Sequence, residues 1–227
     1  EMCIRDSYSR SCYFIGRYIE NDPSVSDSLF VEGYTRSWSF ITSSDSFRAG
    51  YMSQDQDSLS QIMTGLENLS EDITAVVYWW AENFTSYLVT KPALQRIENR
   101  ETLETVLHRL LSINPEYNYH GANRIFGSFY AKLPGIELNQ SENNFEKSIS
   151  NEPNFFNSYV LRSQYLHTKK GQKENFVKDL QFVLNSDPTR IPEASPENLF
   201  EQEKAKSLLS KKDLSLIHIS EPTRLQD

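Results

Sequence analysis

The sequence has little of what marks small disulfide-linked, fibrous and membrane-spanning proteins. Its 227 residues include 2 Cys, 8 Gly and 9 Pro. One cysteine, Cys3, lies in a terminal stretch that we expect to be non-native, and Cys12 alone forms no internal disulfide. So few Gly and Pro exclude a collagen-like or low-complexity chain. No run approaches the roughly 18 uninterrupted apolar residues that a membrane-spanning helix needs.

Positive charge is also scarce. Lys and Arg number 23 against 31 Asp and Glu, which gives a net charge of −8 at neutral pH, and they form no cluster. Since neutralisation of phosphates drives most nucleic-acid affinity, the sequence predicts no nucleic-acid partner. Aromatic residues make up 12% of the chain, too many for a disordered protein. We therefore expect an acidic globular protein with a hydrophobic core.

Both ends of the chain resemble translated sequencing-adapter fragments. These stretches are residues 1–7, EMCIRDS, and residues 213–227, which contain LSLIHISEPTR. We treat both as non-native flanks and expect a single helical domain over residues 8–212. The alternative for the second flank is that residues 214–220 form a native C-terminal strand or helix end.

A pattern that ends in proline recurs four times along the chain. Pro23, Pro115, Pro153 and Pro188 each follow a stretch with apolar or small residues at the same three offsets. Steps of four and three residues place these side chains on one helical face, and a proline five residues later cannot continue the helix. The four sets are Ser11, Ile15 and Tyr18; Leu103, Leu107 and Leu110; Ser141, Phe145 and Ser148; and Phe176, Leu180 and Val183.

Further apolar stripes predict the packing partners of these helices. They cover residues 24–41, 71–89, 120–132, 155–168 and 196–209, whereas the polar residues 43–58 indicate a loop or a short helix. The chain thus predicts helix pairs of about 35 residues, and the commonest array of such pairs is an α-solenoid. The predicted fold is all-α, an α–α superhelix of about four to five helix pairs. The alternative is a set of unrelated amphipathic helices, each ended by a proline.

The stretch from 120 to 153 resembles the tetratricopeptide repeat. The first helix of that repeat carries a large apolar residue next to Gly and an aromatic residue three positions later, as at Phe126, Gly127 and Tyr130. The second helix carries a small, aromatic, small and proline series, as at positions 141, 145, 148 and 153. Glycine at 127 allows two helices to approach closely. The next unit, 156–188, matches the repeat less well, because Ser163 stands in place of the glycine and Phe176 in place of the first small residue.

A narrower resemblance covers roughly residues 70–212. YWWA at 78–81, GANRIFGSFYAKLP at 121–134, NFEKSI at 144–149 and QEKAKSLL at 202–209 are similar to the T-component family of tetratricopeptide-like periplasmic lipoproteins associated with TRAP transporters. The resemblance implies a periplasmic, lipid-anchored protein that forms an oligomer, docks a solute-binding protein and helps to deliver organic-acid or hydrophobic solutes. The lipid-attachment cysteine is not visible, because the residues before Cys12 are not an apolar signal core.

The run Tyr78-Trp79-Trp80 carries the main binding candidates. Trp80 lies in line with the apolar stripe of its helix, so we assign it to the core. Trp79 and Tyr78 lie about 100° and 200° further around the helix, so one of them faces another partner. We predict that Tyr78 or Trp79 lines an apolar groove or channel. The alternative is that flanking repeats bury both faces of the helix.

Asn123, Arg124 and Tyr130 complete the binding candidates. Asn123 and Tyr130 share a helical stripe with Phe126, a pattern more typical of a core than of a pocket. Arg124 points elsewhere and can pair with a carboxylate of this chain or of a ligand, and we favour a structural ion pair.

No catalytic or metal-binding motif occurs in the sequence. His108, His120 and His167 lack the spacing of metal ligands, so we expect them to be solvated or capping residues. G-x-S-x-G, H-E-x-x-H and Gly-rich phosphate loops are absent. We predict no enzymatic activity, no metal site and no cofactor.

The resulting hypothesis is a non-enzymatic periplasmic scaffold of a TRAP-type uptake system, which docks a solute-binding protein and holds an apolar or organic-acid solute. The alternative is a generic tetratricopeptide adaptor between proteins, for example in envelope assembly, without a solute. An apolar cavity beside Tyr78, Trp79 and Tyr130 favours the first hypothesis, and a closed interior with a groove favours the second.

Overall fold

The computed structural model describes residues 2–53 and 58–211. Within these ranges every regular element is a helix, and the predicted all-α class is confirmed. The chain divides into two compact units, Glu1–Phe126 and Gly127–Asp227. The single domain over 8–212 and the N-terminal flank stay predictions, and the flank predicted over 213–227 lies outside the described residues.

The first unit is built around one central helix. Its helices are α1 (Met2–Phe14), continued by a π-helical segment Ile15–Ile19, α2 (Pro23–Ser43), α3 (Asp45–Tyr51), α4 (Ser58–Glu67), α5 (Thr74–Leu88), α6 (Ala93–Glu98) and α7 (Arg100–Ile113). Helix α5 packs against α1, α2 and α7, and twelve of its fifteen residues are buried. A helix that is apolar on most sides must be enclosed in this way.

The second unit consists of successive helices that pack on their neighbours. Helix α8 (Tyr117–Lys132) crosses the division between the units and is followed by α9 (Leu138–Asn151) and α10 (Asn157–Leu161). A π-helical segment, Arg162–His167, joins α10 to α11 (Thr168–Lys170), and α12 (Lys173–Asn185) and α13 (Ser195–Ser210) follow. Its larger apolar cluster contains Phe156, Tyr159, Val160, Phe176, Leu180, Val183 and Ala205.

The last three copies of the proline pattern fold as predicted. Helices α7, α9 and α12 end two or three residues before Pro115, Pro153 and Pro188, and all nine residues of the three sets are buried. In the first copy the helix also ends before Pro23, but the predicted face is not buried, since Ser11 is exposed and Ile15 is 41% exposed. The buried residues of this helix are instead Ser9, Cys12, Tyr13 and Gly16, a stripe on another face, and the helix packs against α2 and α5.

Two local expectations are also confirmed. Residues 43–58 contain the short helix α3. A Cβ at Gly127 would lie 2.8 Å from the ring of Phe145, so glycine is needed where α8 meets α9. None of the described helices combines the length and apolar character needed to cross a membrane.

Candidate functional site

The first unit contains a cavity of about 310 Å³. Four helices form its walls, and each contributes residues one helical turn apart, so that their side chains project in the same direction. The lining residues are Tyr34, Thr35 and Trp38 from α2, Leu59 and Ile62 from α4, Trp80 and Phe84 from α5, and Asn99 and Thr102 at the start of α7.

Four of the nine described lining residues are aromatic and pack against one another. The ring of Trp80 lies 5.4 Å from that of Trp38 and 4.9 Å from that of Phe84, and the ring of Tyr34 lies 5.0 Å from Phe84. Burial raises the pKa of Tyr34, and the neighbouring Tyr87 adds to this effect. The phenol is therefore neutral at physiological pH.

The polar groups of the wall are few and uncharged. They are the hydroxyls of Tyr34, Thr35 and Thr102, the indole N–H groups of Trp38 and Trp80 and the amide of Asn99, and no Lys, Arg, His, Asp or Glu is among the lining residues that the structure describes. Thr35 is exposed and Leu59 is 54% exposed, so these two residues mark the side that is open to solvent. The arrangement can enclose a small apolar molecule and hydrogen-bond it at few points.

The sequence predicted that Trp80 belongs to the core and that Tyr78 or Trp79 lines an apolar groove. In the structure, Trp80 lines the cavity, whereas Tyr78 and Trp79 are buried and do not line it. The signal that could have located the cavity is the pair of aromatic residues four positions apart on each of two helices, Tyr34 with Trp38 and Trp80 with Phe84.

Tyr78 is the centre of a buried hydrogen-bond network instead. Its hydroxyl donates to Glu82 Oε2 at 2.8 Å and accepts from Asn118 Nδ2 at 2.6 Å and from Arg124 Nη2 at 2.7 Å. A Cβ at position 121 would lie 2.3 Å from the ring, which explains Gly121. Burial raises the pKa of Tyr78 well above its ordinary range; Arg124 opposes this and Glu82 adds to it.

Arg124 also supports a left-handed turn at the start of α8. Asn118, Tyr119 and His120 have φ of 49°, 58° and 56°, a conformation that is unfavourable for side chains other than glycine. The guanidinium donates to the carbonyl oxygens of Asn118 and Tyr119 at 3.2–3.4 Å. Burial lowers the pKa of Arg124, but the nearby Tyr78 and Glu82 outweigh it, and the pKa is raised.

The other predicted site residues are also buried. The ring of Trp79 packs against Tyr78 and Tyr13, with Arg10 over its face at 5.8 Å. Asn123 is buried on α8 in the first unit, and Tyr130 is buried beside Phe129 in the second. The structure thus brings together Tyr78, Trp79 and Arg124. Their assignment to a ligand groove stays a prediction.

The second unit contains a separate ionic cluster on its π-helical segment. Arg162 binds both carboxylate oxygens of Asp179 at 2.7 Å, and His167 Nε2 lies 3.1 Å from Asp179 Oδ2. His167 Nδ1 lies 3.0 Å from Gln172 Oε1. Burial raises the pKa of Asp179, but hydrogen bonds from His167 and Arg162 outweigh it and hold the pKa below its ordinary value.

This position corrects the expectation that His167 is a solvated or capping residue. It is 4% exposed and is held between Gln172 and Asp179. Among residues 2–53 and 58–211, no three His, Cys, Asp or Glu side chains converge in a way that could hold a metal ion.

Comparison with known proteins gives one family. The sequence model of the family described as TRAP transporter T-component matches residues 20–215. No protein of curated function matches the chain.

Proposed function

The chain belongs to the TRAP transporter T-component family, and we propose that it is a non-enzymatic periplasmic accessory of a TRAP-type uptake system, held at the membrane by a lipid anchor. In this proposal it holds an organic solute in the aromatic cavity and docks the solute-binding protein of the same system. The single observation that carries the solute proposal is the cavity between α2, α4, α5 and α7.

The cavity lies beside Trp80 and not, as the solute hypothesis expected, beside Tyr78, Trp79 and Tyr130, but it still supports a solute over an adaptor without one. An adaptor groove presents an elongated surface to a peptide or helix, whereas this cavity is set between helices and is lined by four aromatic rings. Its volume of about 310 Å³ is near the lower end of the range for small-molecule sites. Transfer of an apolar molecule from water into such a site is favourable in proportion to the area buried.

Filling the cavity tests the solute proposal. We expect Thr102→Phe to weaken binding of the neutral fluorescent probe N-phenyl-1-naphthylamine by about tenfold or more, because the new ring occupies part of the ligand volume. The measurement is a fluorescence titration of the purified protein. The matched control is Thr105→Phe, a half-buried threonine of α7 that does not line the cavity. Absence of saturable binding to the wild type, or equal weakening in both variants, contradicts the proposal.

Helix α6 is the surface that we propose for docking. None of its residues is buried, and Leu94 and Ile97 are 64% and 50% exposed on one face, just before the cavity residue Asn99. Exposed apolar residues grouped in this way are typical of interaction surfaces. A solute-binding protein bound here would lie next to a cavity residue.

We expect the double substitution Leu94→Glu and Ile97→Glu to weaken binding of the cognate solute-binding protein by about tenfold or more, because two charges would have to be desolvated at the contact. Surface plasmon resonance on the purified pair measures the effect. Leu199→Glu on α13, a residue 52% exposed, is the control. Unchanged affinity in the α6 variant places the docking surface elsewhere.

A further inference from the structure

We infer that the aromatic cavity selects uncharged solutes and excludes carboxylates and other anions. This inference rests on the proposed function, since it concerns what the same cavity accepts. It narrows the sequence hypothesis, which left both apolar and organic-acid solutes open.

The wall of the cavity offers no positive charge to an anion. Among the described lining residues, the polar groups are those of Thr35, Asn99 and Thr102, the phenol of Tyr34 and the indole N–H groups of the two tryptophans, all of them neutral. A carboxylate that enters loses its hydration and finds no counter-charge, and such an uncompensated charge costs several kcal/mol. An uncharged molecule avoids this cost, and the threonine and asparagine groups can still bond its polar end.

The Lys and Arg residues of the four lining helices are engaged elsewhere. Helices α4 and α5 carry none, and α2 and α7 carry three arginines. Arg36 pairs with Glu32, Arg100 pairs with Glu104 at 2.9 Å, and Arg109 donates to the carbonyl oxygen of Leu69. No cation of these helices is therefore directed into the cavity.

The aromatic wall is also not arranged as a cage for a cation. Cation binding uses the open face of a ring. The ring of Trp80 instead packs against two other rings, with its centroid 5.4 Å from that of Trp38 and 4.9 Å from that of Phe84, at interplanar angles of 34° and 33°. The rings thus contact each other and present an apolar surface, which suits an uncharged aromatic or aliphatic body.

The test compares three ligands of equal ring size by isothermal titration calorimetry at pH 7. They are 2-naphthamide, 2-naphthoate and 2-naphthyltrimethylammonium. We expect the amide to bind at least about tenfold more tightly than either ion. The substitution Asn99→Lys places an ammonium group at the cavity wall. We expect it to raise the affinity for naphthoate about tenfold or more and to leave the affinity for the amide unchanged. The control Thr105→Lys should change neither affinity.

The outcomes separate the inference from the proposed function. If naphthoate or the trimethylammonium ion binds the wild type as tightly as the amide, or if Asn99→Lys gives naphthoate no gain, the inference is overturned and the solute site stands. If no ligand binds, and N-phenyl-1-naphthylamine also fails to bind, both the inference and the solute site are overturned.

Discussion

Replacing Arg124 with leucine is expected to lower the free energy of unfolding by about 4 kcal/mol. Arg124 is 1% exposed, and its guanidinium bonds the hydroxyl of Tyr78 and two carbonyl oxygens of the left-handed turn. Leucine removes these donors and leaves the buried carboxylate of Glu82 without the nearby positive charge. It also removes the hydrogen bonds that hold Asn118–His120 in an unfavourable backbone conformation.

Urea denaturation of the full chain, followed by circular dichroism, measures the loss. The control is Arg100→Leu, because Arg100 forms an exposed ion pair with Glu104 and such pairs contribute at most about 1 kcal/mol. A second variant tests the cause of the loss. Adding Glu82→Gln to Arg124→Leu should restore part of the stability, since no buried charge is then left uncompensated.

Two results would contradict this account. If Arg124→Leu is as stable as the Arg100→Leu control, the network around Tyr78 does not stabilise the fold. If Glu82→Gln destabilises the Arg124→Leu background further, the loss does not come from an uncompensated carboxylate.

The Asp179→Asn variant is expected to lose about 3 kcal/mol at pH 7. Asp179 accepts two hydrogen bonds from Arg162 and lies 3.1 Å from His167, and its side chain is 8% exposed. The side chain of asparagine has one oxygen that accepts and one nitrogen that donates, so it can accept only one of the two hydrogen bonds from Arg162. It also leaves Arg162 and His167 without a negatively charged partner. The matched control is Glu142→Gln, because Glu142 pairs with Lys170 at a more exposed position of the same unit.

The effect of Asp179→Asn should also depend on pH, in a direction set by the lowered pKa of Asp179. An unfolded Asp has a pKa of about 3.9, so the folded carboxyl group releases its proton at a lower pH than the unfolded one. The stabilisation is therefore complete above the unfolded pKa and is lost as the pH falls through the folded pKa. The difference in the free energy of unfolding between wild type and variant should therefore shrink as the pH falls below about 4.

Urea denaturation of both proteins at pH 7, 5 and 3.5 measures this dependence. A difference that stays the same at the lowest pH, or that grows there, would show that the carboxylate of Asp179 is not the group responsible.

The helices and their ends were predictable because the interactions that set them are local. A proline cannot continue a helix, and residues at steps of three and four share a face. These rules located the ends of α7, α9 and α12 and the buried residues Leu107, Phe145 and Leu180. They failed at Ser11 and Ile15, which are exposed, because Ser9, Cys12 and Tyr13 form the buried face of that helix instead.

The binding candidates show the limit of the same reasoning. The pattern around Tyr78 showed that α5 has apolar and aromatic residues on several faces, but not which neighbour covers each face. The sequence indicated that Arg124 carries a charge that needs a partner, but not which partner. Its burial against Tyr78 depends on the turn before Gly121 and on the contact between α5 and α8.

The sequence by itself determined the all-α class, the positions of most helices and the resemblance to the T-component family, because each depends on residues close together in the chain. Only the tertiary structure decided that an aromatic cavity lies beside Trp80 and that Tyr78 and His167 belong to buried polar clusters. The cavity requires side chains from residues 34 to 102 on four helices, and a stripe on one helix does not specify whether facing stripes meet or leave a space.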